Sequence, residues 1–201
     1  MPAGLDEAGR GPLAGPVVAA AVVMDREYIL RELSGCLAGL TDSKKLSPLR
    51  RANFAAILME AAPHVQCGIG VATVAEIDRV NILQATYLAM RRALSALSPL
   101  PQHVLVDGLP VPDLPCPSTA LVKGDSRSLL IAAASVIAKV SRDRMMVELH
   151  ARYPEYGFAG HKGYGCRSHV QALFEHGPCP EHRMTFRPVR DAAELRRRCV
   201  E

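Results

Sequence analysis

From Pro16 to Met24 the chain reads PVVAAAVVM, with no polar side chain and valines on either side of an alanine centre. An unbroken apolar run of this length suits a strand covered on both faces, because a strand with one wet face would alternate. It follows a glycine-rich turn, Gly9-Arg10-Gly11-Pro12-Leu13-Ala14-Gly15, and before that stands a short segment, Met1 to Asp6. Two strands joined by a tight bend are the simplest reading. Ser47-Pro48 has the form of a helix N-cap followed by proline at the first helical position, and predicts a helix running through Ala61 until Pro63 stops it. Val65 to Val71 then returns as a strand.

In the segment Glu76 to Leu97, apolar Ile77, Val80, Leu83, Tyr87, Met90 and Leu94 recur every three or four residues, the signature of one helical face. Ser98-Pro99 ends it. His103 to Val106 reads as a buried strand that delivers Asp107-Gly108 to its end, and Ser118 to Val122 as another that delivers Lys123-Gly124-Asp125. Ser126 to His150 contains no proline and predicts one long helix. Strands alternating with helices make an α/β layer, and the opening pair of consecutive strands makes its sheet mixed. After Tyr153-Pro154 the chain turns to short, glycine-punctuated segments rich in His and Arg. The expected organisation is a sheet domain over residues 1–150 and a small helical extension over 151–201.

Composition narrows the class. With 201 residues, 49% hydrophobic and 22% charged, the chain can bury a core and is neither disordered nor a disulfide miniature. The six cysteines (Cys36, Cys67, Cys116, Cys166, Cys179, Cys199) include no CxxC pair, which points to a reducing cytoplasm. The longest apolar stretch, Leu129 to Ala138, is about half of a bilayer span, so no membrane partner is expected. The net charge of +4 is unevenly placed: residues 1–138 hold 12 basic and 12 acidic side chains, residues 139–201 hold 12 and 8. A balanced body with a basic C-terminal third is compatible with a polyanionic ligand.

Asp6-Glu7, Asp107 and Asp125 each follow a predicted strand. In open α/β sheets ligands gather at strand ends, where carboxylates from separate strands converge. Such carboxylates repel unless cations sit between them, and all-oxygen ligands favour hard Mg2+ or Mn2+ over zinc. Strict alternation puts Asp6 and Glu7 on opposite faces, so both reach one cluster only if the chain leaves strand geometry at Glu7. The other reading makes each acid a cap or surface turn residue.

Gly9-Arg10-Gly11 is not a dinucleotide fingerprint: the spacing to Gly15 is wrong and a strand follows where that motif needs a helix. Its glycines instead let backbone amides approach a ligand, and beside a metal cluster that ligand is a sugar-phosphate backbone. Cys166, His169, His176, Cys179 and His182 could in principle hold zinc, but their spacings fit no usual pattern, and a packed cysteine with partly exposed histidines is the preferred reading. Arg142-Asp143 lies far along the long helix from Asp125, and Asp143 is expected to pair with an arginine there.

Asp6-Glu7-Ala8-Gly9-Arg10-Gly11-Pro12-Leu13-Ala14-Gly15-Pro16-Val17 and Asp42-Ser43-Lys44-Lys45-Leu46-Ser47 closely resemble the opening motifs of the ribonuclease HII family, the prokaryotic type 2 ribonucleases H. The similarity continues through Asn81 to Thr86, Val106-Asp107-Gly108, Lys123 to Ser126, Ala132 to Val140, Arg142-Asp143, Tyr156-Gly157-Phe158, His161 to Gly165 and His182-Arg183. The resemblance implies an RNase H-like mixed β-sheet flanked by helices, with a C-terminal helical extension that helps to bind substrate. It implies hydrolysis of the RNA strand of RNA·DNA hybrids and cutting at single ribonucleotides in duplex DNA, leaving 3′-hydroxyl and 5′-phosphate ends. Asp6, Glu7, Asp107 and Asp125 would hold two divalent ions about 4 Å apart, Mn2+ or Mg2+. Gly9, Arg10 and Gly11 would read the 2′-hydroxyl and Tyr164 pack on the sugar beside the junction, with Lys44, Lys45 and Lys162 as candidate phosphate contacts. The alternatives are an inactive nucleic-acid-binding relative and a metal-dependent nucleotide phosphohydrolase. A monomer is expected. Two departures stand out: Cys166 replaces the family's more usual threonine, and only five residues precede Asp6, so the first strand is expected to be short and frayed at its outer end.

Overall fold

The computed structural model describes residues 1–198; Cys199 lies outside them. Strands β1 (Pro2–Ala8) and β2 (Val17–Met24) form an antiparallel pair, in register from Ala3 opposite Val23 to Ala8 opposite Val18. After a short helix α1 (Arg26–Glu32) and α2 (Pro48–Glu60), β3 (Val65–Ala72) adds antiparallel to β2. Helix α3 (Val74–Ser95) crosses over to β4 (His103–Asp107), parallel to β1, and β5 (Ser118–Leu121) lies parallel to β4. The sheet order is β3-β2-β1-β4-β5. Then come α4 (Leu129–Arg152), the short α5 (Phe158–His161), α6 (Arg167–His176) and α7 (Arg187–Arg198). No helix among the described residues is long and apolar enough to cross a membrane.

Helices cover both faces of the sheet, which is why β2 carries no polar residue. Ala20, Val22 and Met24 pack with Ala133 and Val136 of α4 and with Phe54 and Leu58 of α2. Ala19, Ala21 and Val23 point the other way, onto Ile77, Met90 and Ala93 of α3. The alanine-rich first half of α4 lies directly on β1: a Cβ at Gly4 would sit 2.1 Å from the Leu130 carbonyl carbon, so only glycine allows this contact.

Three local expectations change, and one helix, α1, was not expected. The outer end of β1 is tied down, because the Met1 amino group donates to Gln102 Oε1 at 3.0 Å and Gln102 N–H to the Met1 carbonyl at 3.2 Å. Helix α1 carries no long periodic stripe, only a buried Tyr28. Helix α3 is broken at Asn81 (φ 68°), whose Oδ1 accepts the amides of Leu83 and Gln84 and so re-caps the second half. The long helix begins at Leu129 rather than Ser126, because Lys123 turns left-handed (φ 55°) and Gly124–Ser126 form a single 3-10 turn.

The glycine turn between β1 and β2 is wrapped by the C-terminal helices. Leu13 packs with Leu173, Val189 and Ala192, and Ala14 with Met146, Tyr156 and Phe158. Leu13 N–H donates to the Gly163 carbonyl (2.8 Å), Gly15 N–H to that of Glu181 (2.9 Å), and Arg183 N–H to that of Leu13 (2.9 Å).

Candidate active site

Parallel pairing of Leu5 with Val106 brings Asp6 of β1 beside Asp107 of β4. Leu5 and Val106 face α3, so by alternation Asp6 and Asp107 share the α4 face. Asp125 arrives from the turn after β5, and that turn is fastened by Gly124 N–H donating to Asp107 Oδ1 at 2.7 Å. One carboxylate oxygen from each of Asp6, Asp107 and Asp125 lies within 4.8 Å of the other two. Glu7 behaves differently. Strand β1 continues through Ala8 with Glu7 opposite Ala19, so the chain does not leave strand geometry there, and Glu7 stands beside the three-carboxylate cluster with its Oε1 3.3 Å from Arg10 Nη1.

The cluster is electrostatically unhappy by itself. Burial, then the charges of Glu7 and Asp107, push the Asp6 carboxyl well above its usual range. Burial raises Glu7 despite the opposing pull of Arg10. Burial, then Asp42 and Asp107, raise Asp125. Oxygen-only donors that resist ionising together fit a hard divalent cation, whose charge would reverse each of these shifts. Asp42 was missed from the sequence because its motif was read for its lysines; it lies close enough to Asp125 to hydrogen-bond.

Next to the acids lies the glycine turn. Gly9 takes φ 98°, and a Cβ there would meet Arg142 Nε at 2.0 Å. Two buried guanidinium groups support the turn from behind. Arg142 donates to the carbonyls of Pro16 (2.9 Å), Ala14 (3.1 Å) and Lys162 (3.0 Å). Arg183 donates to those of Gly9 (2.6 Å), Arg10 (2.9 Å) and Gly15 (2.8 Å). Neither forms an ion pair among the described residues, and burial followed by repulsion from Arg142 lowers Arg183 to about 9. Sequence reading included both arginines in the motifs of the resemblance but gave neither a role; a buried, unpaired arginine has no local pattern.

Tyr164 is 47% exposed, which excludes a purely core role, and its Cε1 would lie 3.7 Å from a Cβ on Gly11. Lys45 Nζ reaches Ser126 Oγ at 3.0 Å, beside Asp125, while Lys44 is exposed and its charge acts on Asp125. Lys162 is turned back onto the Ala159 carbonyl. Asp143 pairs with Lys139 (2.6 Å), not with an arginine, because Arg142 is committed to carbonyls in the interior.

The histidines are not partly exposed as expected: His169 and His182 are buried, at 0% and 1%. Cys179 N–H donates to His182 Nδ1 (3.1 Å), so His182 Nε2–H faces His169 Nε2 (3.0 Å), and His169 Nδ1–H faces the Tyr164 carbonyl (2.9 Å). This order of donors fixes two neutral tautomers. Cys166 is exposed and contacts Ser168, and His176 is exposed, so of the five residues weighed for zinc only His169, Cys179 and His182 come together, hydrogen-bonded to one another. The carboxylate set is the candidate metal group found among the described residues.

A five-stranded mixed sheet with carboxylates meeting at the ends of its central strands defines an RNase H-like hydrolase. The Ribonuclease HII family model matches residues 3–189. The chain is 56% identical over 192 residues to ribonuclease HII 1 of Methylibium petroleiphilum, covering 96% of this chain and 92% of that protein. It is 57% identical over 191 residues to ribonuclease HII of Syntrophotalea carbinolica, covering 94% and 86%. The crystal structure of ribonuclease H2 from Pyrococcus horikoshii superposes with a TM-score of 0.78 at 28% identity, over 98% of each chain. The chain therefore belongs to the ribonuclease HII family, type 2 ribonucleases H that act on RNA·DNA hybrids with a divalent metal.

Proposed function

We propose that this chain is an endonuclease that hydrolyses the RNA strand of RNA·DNA hybrids and cuts 5′ of single ribonucleotides in duplex DNA, leaving 3′-hydroxyl and 5′-phosphate ends. The observation that carries the reading is the position of the carboxylate cluster beside an exposed backbone turn and an exposed aromatic ring. Asp6, Asp107 and Asp125 would hold Mn2+ or Mg2+, with Glu7 completing the set. Such ions, when bound, activate a water and stabilise a leaving oxygen. The turn at Gly9, Arg10 and Gly11 offers backbone hydrogen-bonding groups to the ribose, and Tyr164 offers a flat face to the sugar next to it. Lys44 and Lys45 lie at the rim where a phosphate backbone would pass, and Lys162 reaches the same surface only by releasing the Ala159 carbonyl. In this reading residues 1–150 supply the catalytic acids and Arg142 behind the turn, and residues 151–201 supply Tyr164 and Arg183.

The test is a comparison of three substrates with Mn2+, with Mg2+ and with chelator: an RNA·DNA hybrid, the same sequence as duplex DNA, and free nucleoside triphosphates. Cutting of the hybrid alone, only with metal and with 5′-phosphate ends, is the expected result. Hydrolysis of the nucleotides in its place would make the chain a nucleotide phosphohydrolase, and binding of the hybrid without cutting an inactive relative.

A further inference from the structure

We propose that Arg183 is a positioning residue for substrate recognition: from inside the fold it holds the Gly9 and Arg10 carbonyls so that the amides of Arg10 and Gly11 face outward as a paired donor site for a ribose 2′-oxygen. This deepens the RNA·DNA reading and rests on it.

Arg183 is fully buried, and its fork spans both ends of the turn. Nη2 donates to Gly9 O (2.6 Å) and Gly15 O (2.8 Å), Nη1 to Arg10 O (2.9 Å), and Nε again to Gly15 O (3.0 Å). The peptides on either side of Arg10 are trans, so each carbonyl points opposite to the N–H in its own peptide plane. A Gly9 carbonyl drawn inward therefore turns the Arg10 N–H outward, and an Arg10 carbonyl drawn inward does the same for Gly11. Neither amide has a hydrogen-bond partner among the described residues, and both residues are exposed. The ring of Tyr164 walls one side of this donor pair at Gly11.

The guanidinium is itself fixed. The Phe186 ring lies with its centroid 5.2 Å from the Arg183 Cζ, and Asp78 takes the amides of Met184 and Thr185 at 3.0 Å each, pinning the chain just beyond Arg183. The buried positive charges of Arg183 and Arg142, without carboxylate partners, also place a favourable field behind the turn for an oxygen-rich ligand. Only a planar fork reaches three carbonyls at once; lysine offers one nitrogen and cannot hold both the Gly9 and Arg10 carbonyls and the Gly15 end.

Binding is measured in chelator, where nothing is cut, for an RNA·DNA hybrid and the DNA duplex of the same sequence, with wild type and with Arg183→Lys, alongside melting temperatures. Each misdirected amide should lose about fivefold in hybrid affinity. The lysine variant is therefore expected to lower the hybrid preference at least fivefold, with the DNA-duplex Kd within about twofold of wild type because the phosphate contacts remain. A lower melting temperature with an unchanged preference ratio would overturn the proposal and leave Arg183 a stabilising residue only. Wild type that shows no preference for the hybrid would instead overturn the RNA·DNA reading, and the role of Arg183 with it. Amide hydrogen exchange on wild type needs no variant: the Arg10 and Gly11 amides should exchange fast in the free protein and slow on adding hybrid but not DNA duplex. Equal slowing by both duplexes, or slow exchange in the free protein, contradicts the assignment.

Discussion

Asp6 is buried and flanked by Glu7 and Asp107, and burial followed by their charges raises its carboxyl well above the usual range. A carboxyl whose folded pKa is raised above the usual 3.8 stabilises the fold at low pH, and that contribution is lost as pH rises through the raised value. Metal-free protein should therefore lose stability as pH rises above 4, and Asp6→Asn should melt higher than wild type at pH 7 in chelator. The same substitution should reduce cleavage by orders of magnitude, as should Glu7→Gln, Asp107→Asn and Asp125→Asn, because the amide keeps the volume but not the charge that would hold a metal. Asp143→Asn should cut at close to the wild-type rate, since Asp143 only pairs with Lys139 along α4. Melting curves in chelator and initial cleavage rates check the set. An Asp6→Asn protein less stable than wild type would show that the site is not strained by its own charge.

Among the elements, β2 and α4 were legible because burial on both faces, or against a sheet, writes long apolar runs. The break in α3 was not, because Asn81 interrupts the helix without interrupting its apolar stripe, and it supplies its own cap. Helix α1 escaped because a seven-residue helix burying one tyrosine has no period to detect. The histidine chain from α6 to the segment before α7 was also invisible: its order comes from hydrogen bonds across 13 residues, not from spacing. It has a pH consequence. Burial, then repulsion from His169, lowers His182 to about 4, so the unfolded chain binds a proton at 6.5 that the folded one refuses. The stability His182 contributes is complete above pH 6.5 and is lost as pH falls towards 4, at up to about 1.4 kcal/mol per pH unit. Denaturant unfolding between pH 7 and 4 should show a shallower loss for His182→Asn than for wild type. Taking the difference between the two proteins cancels the carboxylates, of which Asp6, Glu7 and Asp125 act in the opposite direction over the same window. Parallel curves would mean that His182 takes up its proton as readily in the folded state as in the unfolded one.

For the whole molecule, the sheet provides the acids and the C-terminal helices provide the surface beside them. The acids could be read from the sequence because each stands in or just after a segment that reads as a strand, and the turn because Gly9, Gly11 and Gly15 cluster within seven residues; Tyr164 came from resemblance. What joins these parts could not be read. The join is made by Arg142 and Arg183, which bind backbone carbonyls far away in sequence, and by His169 and His182, which bind each other across 13 residues, and carbonyls leave no trace in side-chain patterns. The stand-off of Glu7 is what strict alternation along a strand implies, and the pairing of β1 through Ala8, without a bend at Glu7, decides it. The central claim is that this assembly cuts nucleic acid where one 2′-hydroxyl meets the carboxylate cluster. Its most direct test is a DNA duplex with a single embedded ribonucleotide, incubated with wild type and with Asp107→Asn, with and without Mn2+. The expected result is one cut on the 5′ side of the ribonucleotide, by wild type only and with metal only. A cut elsewhere, a cut in chelator, or an equal cut by Asp107→Asn would contradict it.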